Sequence, residues 1–280
     1  MQQSDGTFSA YDGTTIYHRT WAPDGDAKGV VLLVHGLGEH SGRYQHVAER
    51  LVDAGYVVAA LDHRGHGKSS GKRVYVKSYD EFMRDLTQFR RMVESEHPGL
   101  PVVMVGHSMG GNIVMGHALG NQQGLAGIAL SGAALQVGDD FSPIQRKIFS
   151  GIAKVAPGFR PQGLDASAIS RDEAVVEAYR NDPLVFTGKI SAGLGAALFA
   201  AMDSFPDRYD TLTIPIWIGH GTDDRLTEIA GSRELEATAV NADVEAHYYD
   251  GLYHEIFNEP EQDEVLGDLV GWIDRTVAAS

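Results

Sequence analysis

The chain has 280 residues, 43% hydrophobic and 22% charged, which is enough for one α/β domain with room for an inserted segment. Its formal charge of −15 argues against nucleic acid as a partner, because binding phosphates requires a basic surface. Zero cysteine excludes disulfides, thiolate catalysis and cysteine-based metal sites, and it fits a cytoplasmic protein.

The first residues, MQQSDGTFSA, lack the basic and apolar regions of a signal peptide, and no apolar run is long enough to span a membrane. Asp12-Gly13 joins two extended patches, Thr7–Ala10 and Thr15–Trp21, and predicts a hairpin. GVVLLV at 29–34 reads as a buried strand that delivers the loop His35-Gly36-Leu37-Gly38-Glu39-His40. A helix is expected from about Tyr44 to Ala54, ended by Gly55, and a second buried strand from Val57 to Leu61.

Strand, glycine loop, helix and a strand ending in Asp62 raises the possibility of a dinucleotide site. The glycine spacing is G-x-G-x-x-x-G, however, and Glu39 would set a carboxylate where a pyrophosphate must sit. The loop after Asp62 contains His63-x-x-His66, read as structural, and Gly67-Lys68-Ser69-Ser70-Gly71, read as a solvated turn.

Phe82, Leu86, Phe89 and Val93 mark an amphipathic helix over 79–96. After its stop at His97-Pro98-Gly99 comes PVVMVGHSMGGNIVMGHALG. This is a buried strand, a very tight turn and a helix, with Ser108 at the apex between Gly106 and Gly110. Small residues on both sides let two backbone segments pass closely, so G-x-S-x-G here predicts a nucleophile elbow. The match at Gly67–Gly71 lacks both the strand and the helix. His107 is read as elbow packing, and His35 as a brace for the loop it opens.

Another strand, 128–130, completes an alternation that predicts a mostly parallel sheet with helices on both faces. The alternation then breaks. Residues 134–205 carry helical patterns interrupted by prolines and are expected to form a helical cap on a core made of 1–133 and 206–280. Ile190, Leu194, Leu198 and Met202 define one apolar face of that cap, and the first three are expected to line an acyl tunnel. Residues 141–160 hold Arg146, Lys147, Lys154 and Arg160 and no acid. Such a basic amphipathic helix can rest transiently on an anionic membrane, which would make the protein cytoplasmic and peripherally membrane-associated.

The sheet resumes at 214–219 and delivers Asp223 and Asp224; after a helix at 228–238, the strand 244–249 delivers His254, and a last helix covers 262–277. A serine hydroxyl needs a base, and the base an orienting acid, all at the C-terminal ends of strands. His254 is preferred over His247, which lies inside the strand pattern. Spacing leaves Asp223 and Asp224 open. The oxyanion donors are expected to be the backbone N–H groups of Met109 and Leu37.

The segments HGLGEHSGRY, LDHRGHGKSSGKR, GHSMGG, HGTDDRL and LYHEIFNEPE resemble the monoacylglycerol lipase family, the bacterial enzymes more closely, over Trp21 to Trp272. The resemblance implies an α/β-hydrolase that releases glycerol and fatty acid from monoacylglycerols without cofactor or metal. It selects Asp224 as the acid and His254 as the base, maps the oxyanion donors to Leu37 and Met109, and sets Glu39 and Arg43 near the glycerol end. One departure is Phe257, which stands where vertebrate members carry a glycerol-contacting histidine. Alternatives are a lysophospholipase, a broad small-ester carboxylesterase, an aminopeptidase or a hydrolase-fold ligand receptor.

Overall fold

The computed structural model describes residues 1–138, 151–160, 163 and 165–280. Eight strands form one sheet in the order β1-β2-β4-β3-β5-β6-β7-β8. They are β1 (Gln2–Ser9), β2 (Thr15–Ala22), β3 (Gly29–Val34), β4 (Tyr56–Leu61), β5 (Val102–His107), β6 (Leu125–Ser131), β7 (Ile216–Gly221) and β8 (Val244–Tyr249). β1 and β2 are an antiparallel hairpin and β2 runs antiparallel to β4; all pairings from β4 through β8 are parallel. β1 starts at Gln2, well before the expected Thr7. Its polar first half has no apolar alternation to read, and pairing with β2 over eight residues extends it.

The period of two sorts the parallel strands onto two faces. Val30, Leu32, Val34, Val57, Ala59, Leu61 and Met104 join one buried cluster, while Val31, Leu33, Val58, Ala60, Val103 and Val105 join the other. The first face is covered by α2 (Asp80–Glu96) and α3 (Met109–Asn121). α1 (Gln45–Asp53) and the last helix, which spans Gln262–Ala278, cover the second through Val47, Leu51, Val265, Leu269 and Trp272.

Between β6 and β7 the described residues include α4 (Glu173–Asn181), α5 (Ala192–Ser204) and helical residues 151–155, with one isolated bridge, Gly163 to Lys189, and no strand. Residues 141–150, with Arg146 and Lys147, lie outside the described residues. α6 (Ile229–Thr238) follows β7, and the last helix is α7. The parallel run brings the loops after β3, β5, β7 and β8 to one edge of the sheet.

The second G-x-S-x-G is not a solvated turn. Ser69 is buried; its Oγ accepts from Tyr17 N at 2.8 Å and donates to Asp62 O at 2.5 Å, clipping β2 to the end of β4. Asp62, the residue a dinucleotide site would turn toward a ribose, is fully buried. It accepts from Ser41 N and Oγ and from Lys68 N, holding two loops together.

Candidate active site

Ser108 follows β5 with φ 55° and ψ −119°, a conformation sparsely populated by residues with a side chain. The turn is held by Ser108 N donating to Ser131 O and by Ser108 O accepting from Asn112 N and Ala134 N. Its side chain makes no capping hydrogen bond to α3, so the hydroxyl is not spent on the helix.

The flanking glycines are sterically required. A Cβ on Gly110 would lie 2.0 Å from Val34 O, and one on Gly106 2.5 Å from Gly110 O; both obstacles are backbone. Gly110→Ala is therefore expected to destabilise the fold by about 3 kcal/mol or more. Gly120→Ala, in the open last turn of the same helix, should be neutral or stabilise by up to about 1 kcal/mol. Urea denaturation midpoints of the two variants check both, and equal midpoints would contradict the packing argument.

The loop after β8 brings His254 Nδ1 to 2.8 Å from Asp224 Oδ2. Facing a carboxylate, Nδ1 carries the proton, which leaves Nε2 for Ser108; both residues line one cavity. Asp223, by contrast, is exposed. Asp224 is heavily bonded: Oδ1 accepts from Leu226 N and Thr227 N, and Oδ2 from Thr227 Oγ1 at 2.7 Å, with His220 Nε2 at 3.2 Å. Burial opposes its charge, but His254 and His220 outweigh it and hold Asp224 far below the usual carboxylate range.

For His254, burial favours the neutral ring, yet the Asp224 charge prevails and raises its pKa above the ordinary 6.5. A group raised on folding stabilises the protein below its unfolded pKa and loses that contribution as pH climbs through the folded one. Catalysis by a neutral base runs the opposite way. The acid limb of kcat/KM should have its midpoint above 6.5, and a midpoint at or below that value contradicts the pairing.

Met109 is the first residue of α3, one of the backbone N–H groups that a helix cannot satisfy itself, and both it and Leu37 line the cavity. His35 Nδ1 lies 2.7 Å from Gly36 O, and its Nε2 accepts from His63 N. His63 and His66 pack buried around His35, and His107 rests 4.6 Å from the His254 ring. No group of metal-binding residues occurs among the described residues.

Glu39, expected near the glycerol end, lines the cavity that holds Ser108 and His254. Glu39 Oε1 accepts from Gly36 N at 2.6 Å and Tyr44 OH at 2.7 Å, and Oε2 from Arg43 Nη1 at 2.6 Å. Burial resists ionisation, but the Arg43 charge brings the Glu39 pKa down to about 2. Arg43 is absent from the cavity wall; it grips Glu255 through both guanidinium nitrogens at 2.7 Å and covers the Tyr179 ring. Both carboxylates thus tie the loop after β3 to the loop after β8 through Arg43. Their separation in sequence leaves no local pattern for Glu255 to be read from. His220 and Thr227 were also missed, although both lie in the short stretch around Asp224.

The cavity has a volume of about 400 Å³. Its apolar wall includes Ile169, Ile190, Leu198, Phe199, Met202 and Leu226. Leu194 corrects the expected tunnel face: it is fully buried in the main core and not on the wall. Among the described residues of the segment between β6 and β7, Ile169, Ile190, Leu198, Phe199 and Met202 thus share one cavity with Ser108 and His254.

A family model described as serine aminopeptidase, S33, matches residues 25–261. The chain is 44% identical to the monoacylglycerol lipase of Mycolicibacterium smegmatis over 97% of each chain. It is 31% identical to the human monoglyceride lipase, covering 96% of this chain and 90% of the relative. Among solved structures, the monoacylglycerol lipase of Paleococcus ferrophilus superposes with a TM-score of 0.85 at 32% identity, over 95% of this chain and 99% of the other. The serine on its elbow, the Asp–His pair on successive strand ends and these full-length similarities agree: the chain belongs to the monoacylglycerol lipase family of the α/β-hydrolases.

Proposed function

We propose that the chain cleaves monoacylglycerols to glycerol and fatty acid, with residues 134–205 serving as a cap on the hydrolase core. Ser108 Oγ attacks the ester carbonyl while His254 Nε2 takes its proton, and the N–H groups of Leu37 and Met109 receive the oxyanion. Asp224 keeps the proton of His254 on Nδ1. Collapse of the tetrahedral intermediate breaks the ester C–O bond, and His254 returns the proton to the departing glycerol oxygen. A water molecule, deprotonated by the same histidine, then releases the fatty acid.

The observation that carries this reading is the apolar wall running from Ser108 along Ile190, Leu198, Phe199 and Met202, a surface suited to an alkyl chain. An aminopeptidase needs carboxylates turned toward a substrate amine, and Glu39 and Glu255 on the wall are both engaged by the Arg43 guanidinium. No helix among the described residues is long and apolar enough to cross a membrane. The cap is read as touching membrane lipid transiently, a contact that exposed Val155 and Phe159 support, and the location as cytoplasmic and peripheral.

A hydrolysis panel of mono-, di- and triacylglycerols, lysophospholipids and soluble short esters tests the assignment. Monoacylglycerols should give the highest kcat/KM. Preference for lysophospholipid replaces the assignment, and labelling by a fluorophosphonate without turnover of any ester turns it into a receptor.

A further inference from the structure

One face of the molecule carries charge opposite to the whole. The chain has 38 acidic and 23 basic residues, yet the loop between β4 and α2 places Lys68, Lys72, Arg73 and Lys77 within ten positions that hold no acid. Arg160 and Lys189 of the β6–β7 segment are tied to this loop, with Lys154 earlier on the same segment. Arg160 donates to Lys189 O at 2.6 Å and to Arg73 O, and Ser191 Oγ donates to Val74 O at 2.7 Å. Lys72 Nζ lies against Gly158, between Lys154 and Arg160 in sequence, and Arg73 Nη2 donates to Gly67 O beside Lys68. Lys68, Lys72, Arg73, Lys77, Lys154 and Lys189 are exposed. Among the described residues none of the seven forms an ion pair.

Two large apolar side chains stand out to solvent within this field: Val155, 88% exposed, and Phe159, 52% exposed. The patch also borders the cavity. Lys189 precedes Ile190 of the wall and is bridged to Gly163, another wall residue.

We infer that this basic surface, built mainly on the core loop 68–77 with Val155 and Phe159 as apolar probes, docks the enzyme on anionic lipid bilayers beside the mouth of its acyl cavity. The inference rests on the reading of the chain as a lipid hydrolase. It adds a loop of the core to the basic cap stretch expected in the sequence. Unpaired cations facing anionic headgroups gain Coulomb attraction that salt screens, and exposed apolar groups at the same site convert that attraction into insertion. An acidic protein partner would use the cations but leave the two apolar side chains without a purpose.

Co-sedimentation with phosphatidylcholine vesicles, with and without phosphatidylglycerol, tests this on the full chain. The wild type should favour phosphatidylglycerol vesicles at low salt and leave them at high salt. The triple variant Lys72→Glu, Arg73→Glu, Lys189→Glu should lose affinity for them by roughly a hundredfold. Phe159→Ser should weaken binding while keeping the salt dependence. Hydrolysis of a soluble short ester should be the same in all three proteins, which also verifies folding, while hydrolysis of monoacylglycerol embedded in the anionic vesicles falls with binding. Equal binding to both vesicle types, or a triple variant that binds like wild type, overturns the inference. Loss of monoacylglycerol turnover in detergent micelles by the wild type would instead overturn the proposed function.

Discussion

Ser108→Ala should lower kcat by about 10⁶-fold while leaving the fold intact, the largest effect any single substitution here is expected to have. The loss follows from removing the proposed nucleophile: without Oγ, a substrate carbonyl meets the oxyanion donors and His254 but forms no acyl-enzyme. The fold should survive because the turn is fixed by backbone bonds to Ser131, Asn112 and Ala134, none of which involves the hydroxyl. Alanine pays the same strain at φ 55° as serine does. A residual rate of about 10³–10⁴ over water should persist from the oxyanion donors and binding alone. Ester kinetics, fluorophosphonate labelling and a melting curve check the three parts. Turnover or labelling near the wild-type level removes Ser108 from its role.

The alternation of apolar runs with amphipathic segments was enough to predict the parallel sheet, because strands buried on both faces, such as 29–34 and 102–107, are continuous apolar runs. The same logic located the site. Polar residues directly after buried strands are held at one edge of a parallel sheet, so Ser108, His254 and the pair Asp223 and Asp224 could be collected without knowing any distance. Choosing between Asp223 and Asp224 needed the resemblance, since adjacent residues after a strand differ only in which way the turn points them.

Other features escaped for physical reasons. Helical periodicity at Leu194 and Leu198 marks a buried face, but it cannot say whether the neighbour is core or cavity, and Leu194 belongs to the core. Ser69 looked solvated because glycine-rich loops usually are; its burial comes from a bond to Tyr17 N across 52 residues. The Glu39–Arg43–Glu255 clamp is half local and half remote. The i,i+4 pair is visible in the sequence, but Glu255 joins it across 212 residues, a distance no local pattern spans.

Asp224→Asn should lower kcat by about 10⁴-fold, as the matching substitution does in serine proteases, and here the reason can be followed atom by atom. Leu226 N and Thr227 N both donate to Oδ1, so the asparagine carbonyl is drawn to that position. The amide NH₂ then occupies the place of Oδ2, where it meets His254 Nδ1, the Thr227 hydroxyl and His220 Nε2. The NH₂ accepts no proton, so the proton of His254 moves to Nε2, the nitrogen that must accept from Ser108. The base becomes a donor, and attack on the ester stalls. Two further readouts separate this from simple unfolding. With the carboxylate gone, the charge that raised the His254 pKa is lost, and residual activity should show its acid limb at lower pH than the wild type. Stability should drop by about 1–3 kcal/mol, the cost of leaving a buried donor unmet. Asp223→Asn, at the exposed neighbour, should leave kcat and the pH profile unchanged. If Asp223→Asn were the more damaging of the two, the acid would have to be moved one residue upstream, and the dense set of bonds at Asp224 would then serve the turn alone.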